Sequence, residues 1–344
     1  MTPATSPKLR LIQAGVGGMG KAWWNGATNV SPDFDLVAIV DVADAALNEA
    51  GDALKIPREH RFKNLESALD AVEADAILTV TPPVIHSEHA ALAFSRGLHV
   101  LTEKPLADTL ENAKRMVAQA KDANRQLVVA QNYRFTPHNQ TLRRVIAQKL
   151  AGDLGHGHLD FYIPADFTGT FREAMEFPLL VDMAIHHVDL IRMVTGRNVH
   201  KVTAMSFRPA WSWYVHEPGL KMLLELEDGM PFSYSGDWSA RGQTTGWSGT
   251  WRLQCSEGSV HLEGDRVRIA RSERWGKNAT SDAIENDPLP IANQARLLAD
   301  FAAAIRTGKP AETSGADNLW SFATVIAGVI SAKEKRTVDV RSLL

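Results

Sequence analysis

The chain has 344 residues, 44% of them hydrophobic and 22% charged, with 37 basic against 40 acidic residues and a formal net charge of −3. This balance excludes intrinsic disorder, and the lack of a long run of one sign argues against a nucleic-acid arm or an electrostatic membrane anchor. The length exceeds what one core ordinarily holds, so two domains and a small-molecule partner are expected, with neither nucleic acid nor membrane involved.

Cys255 is the single cysteine, so no intrachain disulfide forms and its plainest reading is a small strand residue. The polar start "MTPATSPKLR" lacks the apolar core of a secretory signal, and no run of about 18 apolar residues occurs, which gives a cytoplasmic expectation.

In chain order, "KLRLIQAG" reads as a strand ending in glycine, with a helix from Gly18. "DLVAIVD", "ADAILTVTPP", "HVLTEKP" and "QLVVAQNYR" read as four further strands, separated by helical stretches such as "IHSEHAALAFSRG". Val-, Ile- and Leu-rich strands alternating with helices predict a doubly wound parallel sheet over residues 1–130. After a helix over 136–150 the pattern changes to short strands with Gly and Asp turns, from "GHLDFYI" to "DRVRIARS". A helical segment over 290–333 and a last short strand in "RTVDV" complete the chain. Residues 131–344 are therefore expected to form an α+β domain around a large, mainly antiparallel open sheet.

"AGVGGMG" fits G-x-G-x-x-G through Gly15, Gly17 and Gly20, and with Gly18 and Met19 it lies between a strand and a helix. Asp41 follows at the end of the second strand, where an acid meets ribose hydroxyls. Glycines permit the tight turn and the close approach of a pyrophosphate, whose charge faces the helix start. The Asp41 carboxylate would repel a 2′-phosphate, and Val42, Ala43 and Asp44 supply no cation, so NAD is favoured over NADP.

"TEKPLA" places Glu103 and Lys104 at the carboxyl edge of the sheet, where doubly wound folds bind ligands. Two readings of Lys104 stand: a donor to a substrate hydroxyl that stabilises alkoxide charge, or a solvated lysine paired with Glu103. Tyr133 and Arg134 end the fifth strand, and either reach the substrate or tie the domains together.

Read as a helix, "LLVDMAIHHVDLIRMV" puts Asp182, His186 and Asp189 on one stripe and His187 nearly opposite. Apolar residues elsewhere imply burial, so the polar row faces a cavity, a cofactor or a polar network. A zinc site would want further ligands that no cysteine or second histidine cluster supplies, so no metal is expected. His187 and Asp189 fit a satisfied structural network, whereas His186 suits a base that takes a hydroxyl proton and Asp182 can orient it or the substrate.

The ordered set "GVGGMG", "TPPVIH", "EKP", "YRFTP" and "DMAIHHVDL" resembles the glucose-fructose oxidoreductase and inositol dehydrogenase family (Gfo/Idh/MocA) over nearly the whole chain. The resemblance implies a catalytic trio of Lys104, Asp182 and His186, a cis peptide before Pro105, and cofactor contacts at Thr81, Pro82, His86, Glu103 and Lys104, the last beside both nicotinamide and substrate. It also implies a secondary alcohol of a sugar, inositol or related polyol as substrate. Two departures stand out: Pro83 lies where many members carry Asn, and Glu176-Phe177-Pro178 replaces a glycine-rich turn before Asp182. For His86, a local bond at a helix start is the alternative.

Of the nine tryptophans, Trp211, Trp213, Trp238, Trp247, Trp251 and Trp275 fall in the antiparallel region, as sugar-stacking faces or as sheet core and subunit interface. A second copy would cover the open sheet and give a homodimer or homotetramer. Two rival functions remain: a glycosidase that oxidises its sugar transiently and returns the hydride, and a non-catalytic NAD-binding sensor or scaffold.

Overall fold

The computed structural model describes residues 7–344, so all but the first six residues of the polar N-terminal stretch are described. The chain divides into two compact units. One runs to Asn132 and takes in Ile291–Leu319, and the other comprises Tyr133–Pro290 and Trp320–Leu344. A sequence boundary near residue 130 does not anticipate the returning segment.

The first unit alternates β1 (Leu9–Ala14), α1 (Gly18–Trp23), β2 (Phe34–Val40), α2 (Asp44–Leu54), β3 (Arg61–Phe62) and α3 (Leu65–Ala71). It continues with β4 (Ala76–Thr79), α4 (Pro83–Ser95), β5 (His99–Thr102), α5 (Leu110–Asp122) and β6 (Leu127–Val129). The six strands form a sheet in the order β3-β2-β1-β4-β5-β6, with every pair parallel. Strands covered on both faces must be apolar throughout, as seen in the fully buried Ile77, Leu78, Val100, Leu101 and Val128. Side chains set the helix starts: Asn64 accepts from the Ser67 N–H at 2.9 Å to begin α3, and Thr109 accepts from the Asn112 N–H at 3.2 Å to begin α5.

The returning segment covers an edge. Val129 N–H donates to Thr313 O at 2.9 Å, so the outer side of β6 is paired and not left open.

The second unit holds α6 (Pro137–Ala147), β7 (Leu154–Tyr162) and α7 (Ala184–Thr195). Its remaining strands are β8 (Val199–Phe207), β9 (Gly219–Leu226), β10 (Pro231–Asp237), β11 (Thr250–Cys255), β12 (Gly258–Glu263), β13 (Arg266–Arg271) and β14 (Thr280–Ile284). Helix α8 (Asn293–Thr307) belongs to the returning segment of the first unit, and α9 (Gly315–Glu334), which starts in that segment and ends in the second unit, precedes β15 (Val338–Asp339). The nine-stranded sheet runs β14-β13-β12-β11-β7-β10-β9-β8-β15, antiparallel except for the parallel pair β7 and β10.

Alternation sets its two faces. Along β9, Leu220, Met222, Leu224 and Leu226 are buried, while Lys221 and Leu223 point out. The inner face is covered by helices: Leu180 and Met222 lie against Gly328 of α9, and His187 of α7 reaches Tyr234 of β10. Trp238 and Trp251 belong to this core, whereas Trp275 is 97% exposed and Trp211 and Trp247 about half.

Candidate active site

The turn after β1 is shaped by what a side chain would hit. Gly15 has φ +86°, and a Cβ there would lie 2.2 Å from the Val80 carbonyl oxygen. A Cβ on Gly20 would meet the Gly15 oxygen at 2.2 Å, so α1 packs directly on the turn. Gly17 is the N-cap of α1; Gly18, at φ +46°, and the half-exposed Met19 follow it. The buried Gln13 holds the turn from below, its Nε2 donating to Gly15 O at 3.1 Å and Gly20 O at 2.9 Å. Its Oε1 accepts from Thr28 Oγ1 at 3.1 Å, and no motif pointed to Gln13.

Asp41 stands opposite the turn. Its Oδ2 accepts from Val16 N–H at 2.9 Å and Gly17 N–H at 3.1 Å, and its Oδ1 accepts from Ala43 N–H at 2.9 Å. Beside it opens a cavity of about 760 Å³ lined in part by Gly15, Gly17, Asp41, Lys63, Thr81 and Pro82, a size in the usual range for a small-molecule or cofactor site. Lys63 corrects one premise of the cofactor argument: no cation follows Asp41 in sequence, but β3 brings one into the same cavity. Its Nζ donates to Val42 O at 3.0 Å and pairs with Asp44. His89 also lines the cavity, bonded to Thr79 Oγ1 at 3.0 Å, and burial pushes its pKa down to about 4.

The turn after β5 is braced from two sides. Glu103 Oε1 accepts from Trp23 Nε1 at 2.7 Å, and Oε2 accepts from the Lys104 backbone N–H at 2.9 Å, which links this turn to α1. The Lys104–Pro105 peptide is cis, as the resemblance implied. His86 is fully buried, with Nδ1 3.1 Å from Pro105 O and Nε2 2.9 Å from Thr81 O. Burial drives its pKa down, so the ring is neutral and donates to one of these carbonyls. Its bonds run to the two loops that follow β4 and β5, and Glu103 likewise serves as a brace. Trp23 could not be found by motif, since an indole on the dinucleotide helix reads as core.

In the second unit the run before α7 is not regular helix. Leu179–Met183 forms a π-helical turn carrying Asp182, and α7 starts at Ala184. The expected stripe therefore holds as a regular helical row only from His186 to Asp189, with Asp182 placed by the π turn. His186 is buried and stacks on Tyr133, with ring centroids 4.3 Å apart and planes at 12°. One turn on, Asp189 accepts two bonds from Arg134, from Nε at 2.6 Å and Nη2 at 2.7 Å, and a third from Ser321 Oγ at 2.8 Å. Consecutive residues of the 132–135 turn thus grip consecutive turns of α7.

His187 faces the sheet instead. It lies 3.0 Å from Tyr234 Oη and 2.9 Å from Trp247 O, and complete burial lowers its pKa to about 4. Burial also pushes the Tyr133 phenol up to about 12, with the Asp182 charge adding to the effect, so it stays protonated. Asp182 itself is paired with Arg172, Nε to Oδ2 at 2.6 Å, a partner that lies in a loop the sequence reading passed over. Among the described residues, no cluster of three or more His, Cys, Asp or Glu is placed to hold a metal, and no helix is long and apolar enough to cross a membrane.

A parallel sheet in the order 3-2-1-4-5-6 with a glycine turn after its first strand defines a dinucleotide-binding protein. Residues 9–131 match the oxidoreductase family with an NAD-binding Rossmann fold, and residues 139–261 match the GFO/IDH/MocA C-terminal domain. The chain belongs to the Gfo/Idh/MocA oxidoreductase family. It is 28% identical to the D-apiose dehydrogenase of Paraburkholderia graminis, over 90% of this chain and 84% of that one. It is 26% identical to the inositol 2-dehydrogenase of Arthrobacter, over 97% and 96% of the two chains. In fold it resembles an oxidoreductase from Agrobacterium radiobacter solved with NAD+, L-tartaric acid and magnesium, at TM-score 0.86 and 23% identity, over 98% of this chain and 100% of that one.

Proposed function

We propose that the protein oxidises a secondary alcohol of a sugar, inositol or related polyol, or reduces the matching ketone, with NAD as hydride carrier. The observation that carries this reading is the carboxyl edge of the parallel sheet. The glycine turn after β1, Thr81 and Pro82 after β4, and the braced Lys104 after β5 all lie on it. The names of the dehydrogenase relatives support the substrate class.

In this reading the Lys104 ammonium donates to the reacting hydroxyl oxygen and stabilises its charge as the proton leaves. His186 accepts that proton on its imidazole and returns it in the reverse direction. Asp182 accepts hydrogen bonds from a neighbouring hydroxyl and fixes the face presented to the cofactor. Bound NAD+ would supply the hydride acceptor. Glu103 and His86 hold the Lys104 turn, and Tyr133 holds the His186 ring.

NAD is preferred to NADP in this reading, because the Asp41 carboxylate would repel a 2′-phosphate and Lys63 is already paired with Asp44. A cytoplasmic setting belongs to the same reading. So does a homo-oligomer formed through the open sheet, where Met205 and Leu223 are more than half exposed.

The test is NADH formation across a panel of polyols and sugars. Lys104→Met should lower kcat ~100-fold or more and leave NAD binding intact. A variant that turns over as fast as the parent would remove Lys104 from the chemistry.

A further inference from the structure

We propose that the Asp182 site takes a substrate bearing an oxyanion, a carboxylate in first place, and that Arg172 is the residue that reads it. The proposal rests on the oxidoreductase reading and narrows its substrates to polyol acids.

Arg172 spends only one of its donors on the protein. Its Nε donates to Asp182 Oδ2, while the described contacts give Nη1 and Nη2 no hydrogen-bond partner. The guanidinium lies over two rings, its central carbon 5.2 Å from the centroid of Phe167 and 4.6 Å from that of the more exposed Phe171. Phe167 is in turn fixed edge-on against Trp238, with centroids 5.1 Å apart, and Trp238 stacks on Tyr214.

Other acids lie in the neighbourhood. The charges of Asp166, Asp182 and Asp237 all raise the pKa of Tyr214, and that of Arg172 opposes them. Asp166 is occupied by Thr168 N–H, and Asp237 by the N–H and hydroxyl of Ser239, so neither takes the open end of the fork. A planar fork with its position fixed and two terminal NH2 groups unspent matches a carboxylate bidentately.

A neutral polyol offers the terminal nitrogens only hydroxyl oxygens and forgoes the charge-assisted bidentate pair that a carboxylate makes. An acid substrate satisfies the terminal nitrogens and leaves the Arg172–Asp182 bond in place. Removing Arg172 should therefore cost the acid far more than the matched neutral polyol, a selective loss that a merely structural arginine would not give.

The experiment compares kcat/KM for matched pairs that differ only in the anionic group: D-gluconate with D-glucitol, D-galactonate with galactitol, and glucose 6-phosphate with glucose. The native protein should favour the carboxylate member ~10-fold or more. Arg172→Gln should cost the acid ~100-fold and invert the order, and Arg172→Lys should keep part of the preference. Preference for the neutral member, or an equal loss for both in Arg172→Gln, overturns the proposal. Preference for the phosphate over every carboxylate overturns the assignment to carboxylate.

If no pair yields NADH, the oxidoreductase reading fails and thermal shifts decide the anion site separately. Stabilisation of the NAD-loaded native protein by gluconate, absent in Arg172→Gln, supports the site, and equal shifts in both proteins sink it.

Discussion

The glycine turn of the first unit and the α7 region of the second are built in opposite ways. The turn is made of backbone: its shape follows from where a Cβ cannot go, and its own carbonyls and N–H groups are held by two side chains, Gln13 and Asp41. The α7 site is made of side chains that answer side chains, His186 on Tyr133 and Asp189 on Arg134 and Ser321 far along the chain, and Asp182 on Arg172 ten residues before it. A backbone site tolerates no added atoms but few of its side chains matter. A side-chain site tolerates conservative changes only when both partners change together.

The largest expected effect tests the first half of that contrast. Gly15→Ala would press a Cβ onto the Val80 oxygen and hold a non-glycine residue at φ +86°, at a combined cost of about 4 kcal/mol. A fall in the thermal midpoint together with loss of the NAD-induced shift is expected, and an unchanged shift would show that the turn yields. Next, Arg134→Met should destabilise the protein by about 3 kcal/mol in denaturant titration, because it strips a buried carboxylate of its bidentate partner. The double change Arg134→Met with Asp189→Leu should recover most of that loss, and failure to recover would mean the pair is not the unit of stability.

A third test uses acid. His187 titrates near 6.5 in an unfolded chain and at about 4 in the folded protein, so between those values the unfolded state binds the proton. Its contribution is therefore fully present above about pH 6.5 and lost as pH falls toward 4, roughly 3 kcal/mol in all. Thermal midpoints measured across that window should slope less in His187→Gln than in the parent. The smallest effect concerns Asp41: Asp41→Ser should tighten NADP about tenfold, ~1.4 kcal/mol, and adding Lys63→Ala should cancel the gain. Isothermal titration of both nucleotides would check it.

Legibility followed the same division. Gly15, Gly17, Gly20 and Asp41 were readable because their spacing encodes one local turn between a strand and a helix. Lys104 was readable because it ends a strand at a known edge, and the opposite faces of His186 and His187 followed from helical periodicity. Gln13, Trp23, Lys63, His89 and Arg172 were not, since each acts through a partner reached only after folding. Arg134 is legible as the end of a strand, but its bond to Asp189, 55 residues away, arises only in the fold.

The amino-acid order alone determined the alternation of strands and helices, the dinucleotide turn, and the candidate groups, because these depend on periodicity and on steric limits spanning a few residues. Tertiary structure decided which charge answers which, the π turn that sets Asp182, the cation that β3 delivers beside Asp41, and the strand edge covered by residues after 310. Those features depend on distances in space between groups far apart in the chain, and such distances exist only once the core has formed.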